Sequence, residues 1–226
     1  MTQRSFAAAG AAPRAVRTRI LRRRVGVSSR LRGGTARADP GAGTMELLEA
    51  IHQRRAVRDY LPEAPDDATL GALIHAAVQA PSAVDTQPWR FVVVRQRAML
   101  DRIAREAKAW RLRTESSTEL RAHLENPGFH IFYNAPALVL IAAEHASPWV
   151  IEDCSLAAQN LMLAACDKGL GTCWIGFAQD YLRSAEGKEL LGLPAAWVPV
   201  APIIVGRPRA LPPPHPRHEP QVRWID

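Results

Sequence analysis

The chain has 226 residues, 47% of them hydrophobic, which is enough to bury one sizeable core. Its formal charge of +7 comes from residues 1–44, which hold ten Arg against one acid, Asp39, whereas the remainder carries 19 basic against 21 acidic side chains. The basic balance therefore argues against a nucleic-acid protein, because it lies outside the prospective folded part and has only Phe6 to stack on a base.

Residues 1–44 are rich in Ala, Gly and Arg and show no apolar period, a composition that predicts no regular structure. Two origins fit it. The start is over-extended or a passive tail, with Met45 opening Met-Glu-Leu-Leu-Glu-Ala-Ile, or the segment is an organellar transit peptide. Residues 45–226 are then the folded domain.

Leu47, Leu48 and Ile51 form a helical stripe after the possible cap Thr44, and if that helix persists, Arg54 and Arg58 share one of its faces. A better signalled helix begins at Asp66 or Asp67, repeats Leu70, Leu73, Ile74, Ala77 and Val78 at helical spacing, and stops at Pro81. Phe91 to Val94 reads as a buried strand, and residues 98–126 as helical with a break at Ser116-Ser117-Thr118. Ala137 to Ala143 suits a central strand. Residues 152–168 form a helix that is apolar on nearly every side, which implies burial against a sheet and against a second surface, for which a partner subunit is the simplest candidate. Gly169 is a natural residue to follow its C-terminus, and strands over Thr172 to Phe177 and Val198 to Val205 come next. Pro212-Pro213-Pro214 favours extended polyproline geometry in the tail. Without a regular βαβ alternation the fold class is α+β.

Cys154, Cys166 and Cys173 are odd in number and lack Cys-x-x-Cys spacing, which points to a reducing compartment and hence the cytoplasm. No apolar run reaches the roughly 18 residues of a membrane span.

Arg54, Arg55 and Arg58 offer planar forks that match phosphate oxygens, although such a cluster taken alone is more often a solvated helix end. Ala80-Pro81-Ser82-Ala83-Val84-Asp85-Thr86-Gln87-Pro88-Trp89-Arg90 is, by itself, a helix stop and a turn into a strand. Gly169-Leu170-Gly171-Thr172-Cys173-Trp174-Ile175-Gly176 is a helix cap running into core. His215 and His218 lack further ligands at zinc spacing, and Cys173 reads as core rather than a reactive thiol. Neither a Gly-x-Ser-x-Gly element nor a Gly-x-Gly-x-x-Gly dinucleotide site is present.

Taken in order, these three segments and the late Arg217 resemble the nitroreductase family of FMN-dependent oxidoreductases over roughly residues 45–226. The resemblance implies a mostly antiparallel central sheet flanked by helices, in an interlocked homodimer that shares its flavin sites. It sets Arg54, Arg55 and Arg217 near the FMN phosphate and ribityl chain, and Arg58 at the pyrimidine edge, where a cation stabilises reduced flavin. Pro81, Ser82 and Asp85 would reach the flavin of the partner subunit, and Trp174, Ile175 and Gly176 would pass along the ring. Ala56 stands where the family usually has Ser, and Asp85 where it usually has Asn, whose amide can donate as a carboxylate cannot. The implied reaction is ping-pong: NAD(P)H reduces the flavin and leaves, and a nitroaromatic, quinone or activated alkene takes its place. No side chain is assigned as an acid, base or nucleophile. Trp110, Phe129, Phe132 and Tyr133 are candidates for the acceptor pocket or for core. A non-catalytic flavin-binding or redox-sensing protein is the alternative, as is a dehalogenating or flavin-fragmenting member of the same family.

Overall fold

A computed structural model describes residues 45–225. Expectations about residues 1–44, including Thr44 as a helix cap, lie outside the described residues.

Four strands, β1 (Trp89–Val94), β2 (Ala137–Ala143), β3 (Gly171–Trp174) and β4 (Val198–Gly206), form one sheet in the order β1-β2-β4-β3. Every neighbouring pair is antiparallel. β2 is buried along its whole length because it is interior and covered on both faces. Its side chains alternate: Val139 and Ile141 join the core under α2 (Asp67–Ala77) and α5 (Val150–Asp167), while Leu138 and Leu140 join the core under α3 (Arg97–Thr114) and α6 (Gly176–Arg183). The fold is thus α+β, an antiparallel sheet between helical layers.

Local signals explain several element ends. The Asp66 carboxylate caps α2 by accepting from the Thr69 amide at 2.7 Å. The Ser-Ser-Thr break separates α3 from α4 (Thr118–Glu125), with Ser117 as its capping residue. α5 ends at Asp167, and beyond its capping residue Lys168, Gly169 takes φ +66° while the Leu170 amide donates to the Ala165 carbonyl at 2.8 Å.

Two expected element ends are corrected. The first helix, α1 (Leu47–Gln53), stops before the arginine cluster: Arg54 adopts φ −54°, ψ 127°, so Arg54 and Arg58 lie on an extended run and not on a helix face. The strand expected to reach Phe177 ends at Trp174, because the chain turns at Ile175 into α6. A further helix, α7 (Ala185–Leu191), follows, capped by Ser184. Its only apolar marks are Leu190 and Leu191, too few for a period to show in the sequence.

The helix over 152–168 packs on the sheet and beside α2, where Asn160 Nδ2 donates to the Ala76 carbonyl at 3.3 Å, and its outer side is left open. Ile151 and Leu156 on α5 and Trp149 just before it remain exposed, as do Leu47, Leu48 and Ile51 on the neighbouring α1. Among the described residues no helix is long and apolar enough to cross a membrane.

Candidate functional site

The arginine segment is laid along β3. The Val57 amide donates to the Thr172 carbonyl at 3.0 Å, and Ala56 pairs with Thr172 in a parallel bridge. Tyr60 fastens the same run by donating its hydroxyl to the Val57 carbonyl at 2.6 Å, in surroundings that push the phenol pKa up through burial. Gly171 makes this approach possible, since a Cβ there would sit 2.6 Å from Val57 Cγ2.

Two hollows open on either side of the junction. One, of about 130 Å³, is lined by Arg54, Arg55, Cys166, Gly169, Gly171 and Thr172 among others. The Arg55 Nη1 donates to the His52 carbonyl at 2.5 Å and to the Arg54 carbonyl at 3.0 Å, and its Nε is buried with no partner among the described residues. A buried guanidinium N–H lacking an acceptor is a position that an anionic oxygen would satisfy. The other hollow is a cleft of about 360 Å³, lined by Arg58, Arg111, Tyr133, Cys173, Trp174, Ile175, Gly176 and Phe177. Arg58 lies 5.7 Å from the Tyr133 ring centroid. A Cβ on Gly176 would meet nothing within 4 Å, so the cleft is open in front of that backbone.

Neither thiol here is activated by its surroundings. Burial pushes Cys173 up, and Arg58 and Arg54 offset this only in part; Cys166 is likewise raised by burial against the pull of Arg54 and Arg55. Cys173 thus belongs to the core and to the back of the cleft at once.

Pro81, Ser82 and Asp85 lie on a strained loop. Val84, Asp85 and Gln87 have φ of 51°, 54° and 46°, and Val84, a β-branched residue, is 95% exposed. The loop is held from below: the Asp153 Oδ1 accepts from the Ala83 amide at 2.9 Å, the Asp153 carbonyl accepts from the Trp89 indole at 2.9 Å, and the Ser82 Oγ accepts from the Gln87 amide at 2.9 Å. Asp85 faces its own loop, accepting from Gln87 Nε2 at 2.8 Å.

Arg54, Arg55, Ala56, Arg58, Trp174, Ile175 and Gly176 are therefore brought together around β3. Pro81, Ser82 and Asp85 precede β1, at the opposite edge of the sheet. Three strand spacings, about 14 Å, separate the two edges. Arg217 lines neither hollow and is exposed on the extended run after β4.

Of the aromatic candidates, Tyr133 lines the cleft, Phe129 packs edge-on against Tyr133 and Phe177, Phe132 is fully buried, and Trp110 stacks near Arg113 and Tyr181. Sequence reasoning missed Arg111, which pairs with Glu115 at 2.8 Å and Asp180 at 3.5 Å at the edge of the cleft. The i, i+4 spacing of Arg111 and Glu115 signals the ion pair but not the cleft. The Ser117 amide, with Arg111 adding to it, holds the Glu115 carboxyl below its ordinary range. Asp153 was also missed, since an acid in the first turn of a helix, beside Glu152, gives no sign that it holds a loop 70 residues away.

The model of the nitroreductase family matches residues 51–207, which includes the arginine segment, the strained loop and β3. The chain belongs to the nitroreductase family. A relative from Methanothermobacter thermautotrophicus, provisionally named an NADH dehydrogenase/NAD(P)H nitroreductase, is 29% identical over 178 residues, covering 77% of this chain and 83% of its own. The iodotyrosine deiodinase of Thermotoga neapolitana is 28% identical over 188 residues, covering 79% and 97%. Among solved structures, a nitroreductase with bound FMN from Bacteroides fragilis superposes with a TM-score of 0.72 at 26% identity, covering 81% of this chain and all of the other. The nitroreductase match ends at Arg207, so Arg217 stands outside it.

Proposed function

We propose that this nitroreductase-family chain is an FMN-dependent oxidoreductase that uses NAD(P)H to reduce electron-poor small molecules such as nitroaromatics and quinones. The observation that carries the reading is the pair of hollows across β3: a hollow lined by Arg54 and Arg55, continuous in sequence with an aromatic cleft open before Gly176. The first suits a phosphate, with Arg54 and Arg55 as its holders, and Arg217 joins them only if the exposed tail moves toward the hollow. The second suits a flat ring, with Arg58 at one edge and the Trp174–Gly176 backbone beside it. FMN bound there supplies the hydride chemistry, and the protein positions and tunes it. Cofactor binding in homologous structures and the names of relatives support FMN and NAD(P)H.

The site is completed in a homodimer. Pro81, Ser82 and Asp85 are too far across the sheet to join the β3 edge of their own chain, and exposed Trp149, Ile151, Leu156, Leu47 and Leu48 form apolar surface suited to burial against a second copy. A cytoplasmic setting fits three free cysteines. A dehalogenating activity on a halogenated aromatic is the second reading, favoured by the likeness to an iodotyrosine deiodinase. The test is the visible spectrum of the purified protein, followed by mixing with NADPH or NADH and then with a nitroaromatic, a quinone or a halophenol. Flavin absorbance bleached by the nicotinamide and restored by one acceptor class supports the reading. Bound flavin that no nicotinamide reduces would make the protein a binding or sensing module instead.

A further inference from the structure

Tyr133 and Asn134 are consecutive non-glycine residues in the left-handed region, with φ of 50° and 54°. Such a pair persists only where its surroundings hold it. Here it is held from two directions. His130 Nδ1 accepts from the Phe132 amide at 3.1 Å and the Asn134 amide at 3.4 Å, while the His130 carbonyl accepts from the Tyr133 amide at 2.7 Å. Arg97 Nη2 donates to the Asn134 and Ala135 carbonyls, each at 2.9 Å. Asp101 ties the two together, its Oδ1 lying 3.2 Å from His130 Nε2 and 3.3 Å from Arg97 Nη1. Because Nδ1 accepts from amides, the ring carries its single proton on Nε2, toward Asp101. The product of this arrangement is the placement of Tyr133, which lines the cleft beside Arg58.

We infer that neutral His130 is a positioning residue for the cleft: it holds the Tyr133–Asn134 turn that sets the acceptor's aromatic wall, and protonation of the ring withdraws that wall. The inference rests on reading the cleft as the acceptor site. A proton on Nδ1 abolishes its acceptor lone pair and opposes two amide N–H groups. Arg97, Asp101 and Lys108, all on α3, bear on the ring electrostatically. Arg105 shares a surface hollow with His130 and Lys108, and Arg209, beyond β4, lies in an adjoining one with Arg97 and Asp101. Burial holds the imidazole below its ordinary value, Asp101 works against this, and Arg97 and Lys108 add to it. With the folded value below the unfolded one, the turn's contribution is complete above about pH 6.5 and is lost as pH falls through the folded value.

Two measurements test this on the full chain. In flavin-free protein, the Phe132 and Asn134 amide resonances should titrate with the midpoint of the His130 ring. In flavin-loaded protein, acceptor KM should rise roughly three- to tenfold through the same acid transition while kcat is retained, the loss expected for one or two hydrogen bonds. His130→Asn keeps an acceptor atom one bond from Cγ and does not titrate, so it should remove the acid rise in KM; His130→Ala should show the raised KM at every pH. An acid limb unchanged in His130→Asn, or amides that ignore the ring's titration, overturns the inference. Failure to retain flavin sinks the functional reading instead, and the amide titration of the flavin-free protein still decides whether His130 holds the turn.

Discussion

The Val57 amide and the Thr172 carbonyl, 3.0 Å apart, join two segments that lie 115 residues apart in sequence. That bond turns a run of arginines into the margin of a strand. It sets Arg54 and Arg55 on one side of the junction with Gly171, and Arg58 on the other with Trp174. A phosphate and a ring attached to it could then be served by consecutive parts of one edge.

Arg58, and Asp85 where it turns from Gln87 to the ring of the partner's flavin, should act on the flavin potential in opposite senses. Arg58→Ala removes a cation and lowers the two-electron potential of bound FMN by about 30–65 mV, the equivalent of one charge-assisted hydrogen bond. Asp85→Asn removes an anion and raises it. Potentiometric titration of each variant checks both, and an unchanged potential with FMN still bound contradicts the placement of that residue.

Gly171 and Gly176 separate fold from function. An added methyl at Gly171 meets three Val57 side-chain atoms at 2.6–2.8 Å, so Gly171→Ala should destabilise the flavin-free protein by about 1–3 kcal/mol in denaturant unfolding. A Cβ at Gly176 meets nothing, so Gly176→Val should unfold at the wild-type midpoint yet lose FMN or turnover. Equal stability of the Gly171 variant would mean that the arginine segment does not pack on β3 as described.

Cys166 reports on the arginine hollow. It lines that hollow and is half-buried, whereas Cys154 and Cys173 are buried, with Cys154 pushed up to about 12. All three thiols are raised by burial, so alkylation by a maleimide should be slow near pH 7 and quicken as pH rises and thiolate forms. Cys166 should react first, and FMN should protect it. Peptide mass spectrometry with and without FMN gives the answer, and labelling of Cys166 indifferent to FMN would put the phosphate elsewhere.

Much of the fold was legible because period and punctuation agreed: Asp66 before an i, i+3, i+4 repeat, Ser117 at a break, Gly169 after an apolar helix. The ends that misled were set by tertiary pairing. Arg54 to Arg58 have helical propensity, yet Thr172 draws them into an extended bridge. Trp174 to Phe177 look like a continuing strand, yet the Ile175 amide takes the Pro202 carbonyl and the chain turns. The site's residue types were legible as a phosphate cluster and a glycine-rich strand. Its walls were not, because Arg111 and Tyr133 reach the cleft through a helix and a left-handed turn that no local spacing announces.

The central claim is that one flavin site needs the β3 edge of one chain and the loop before β1 of another, and flavin stoichiometry in mixed dimers tests it most directly. One chain carries Arg54→Ala with Arg55→Ala; the other carries Ser82→Trp, which removes the acceptor of the Gln87 amide and fills the loop. Each variant alone should bind little FMN. Co-expressed and purified as the mixed dimer, the two should regain one FMN per pair of chains, because one of the two sites then combines an intact edge with an intact loop. Mixed dimers as empty of flavin as either parent would show that each site is built within a single chain, and the account would be wrong.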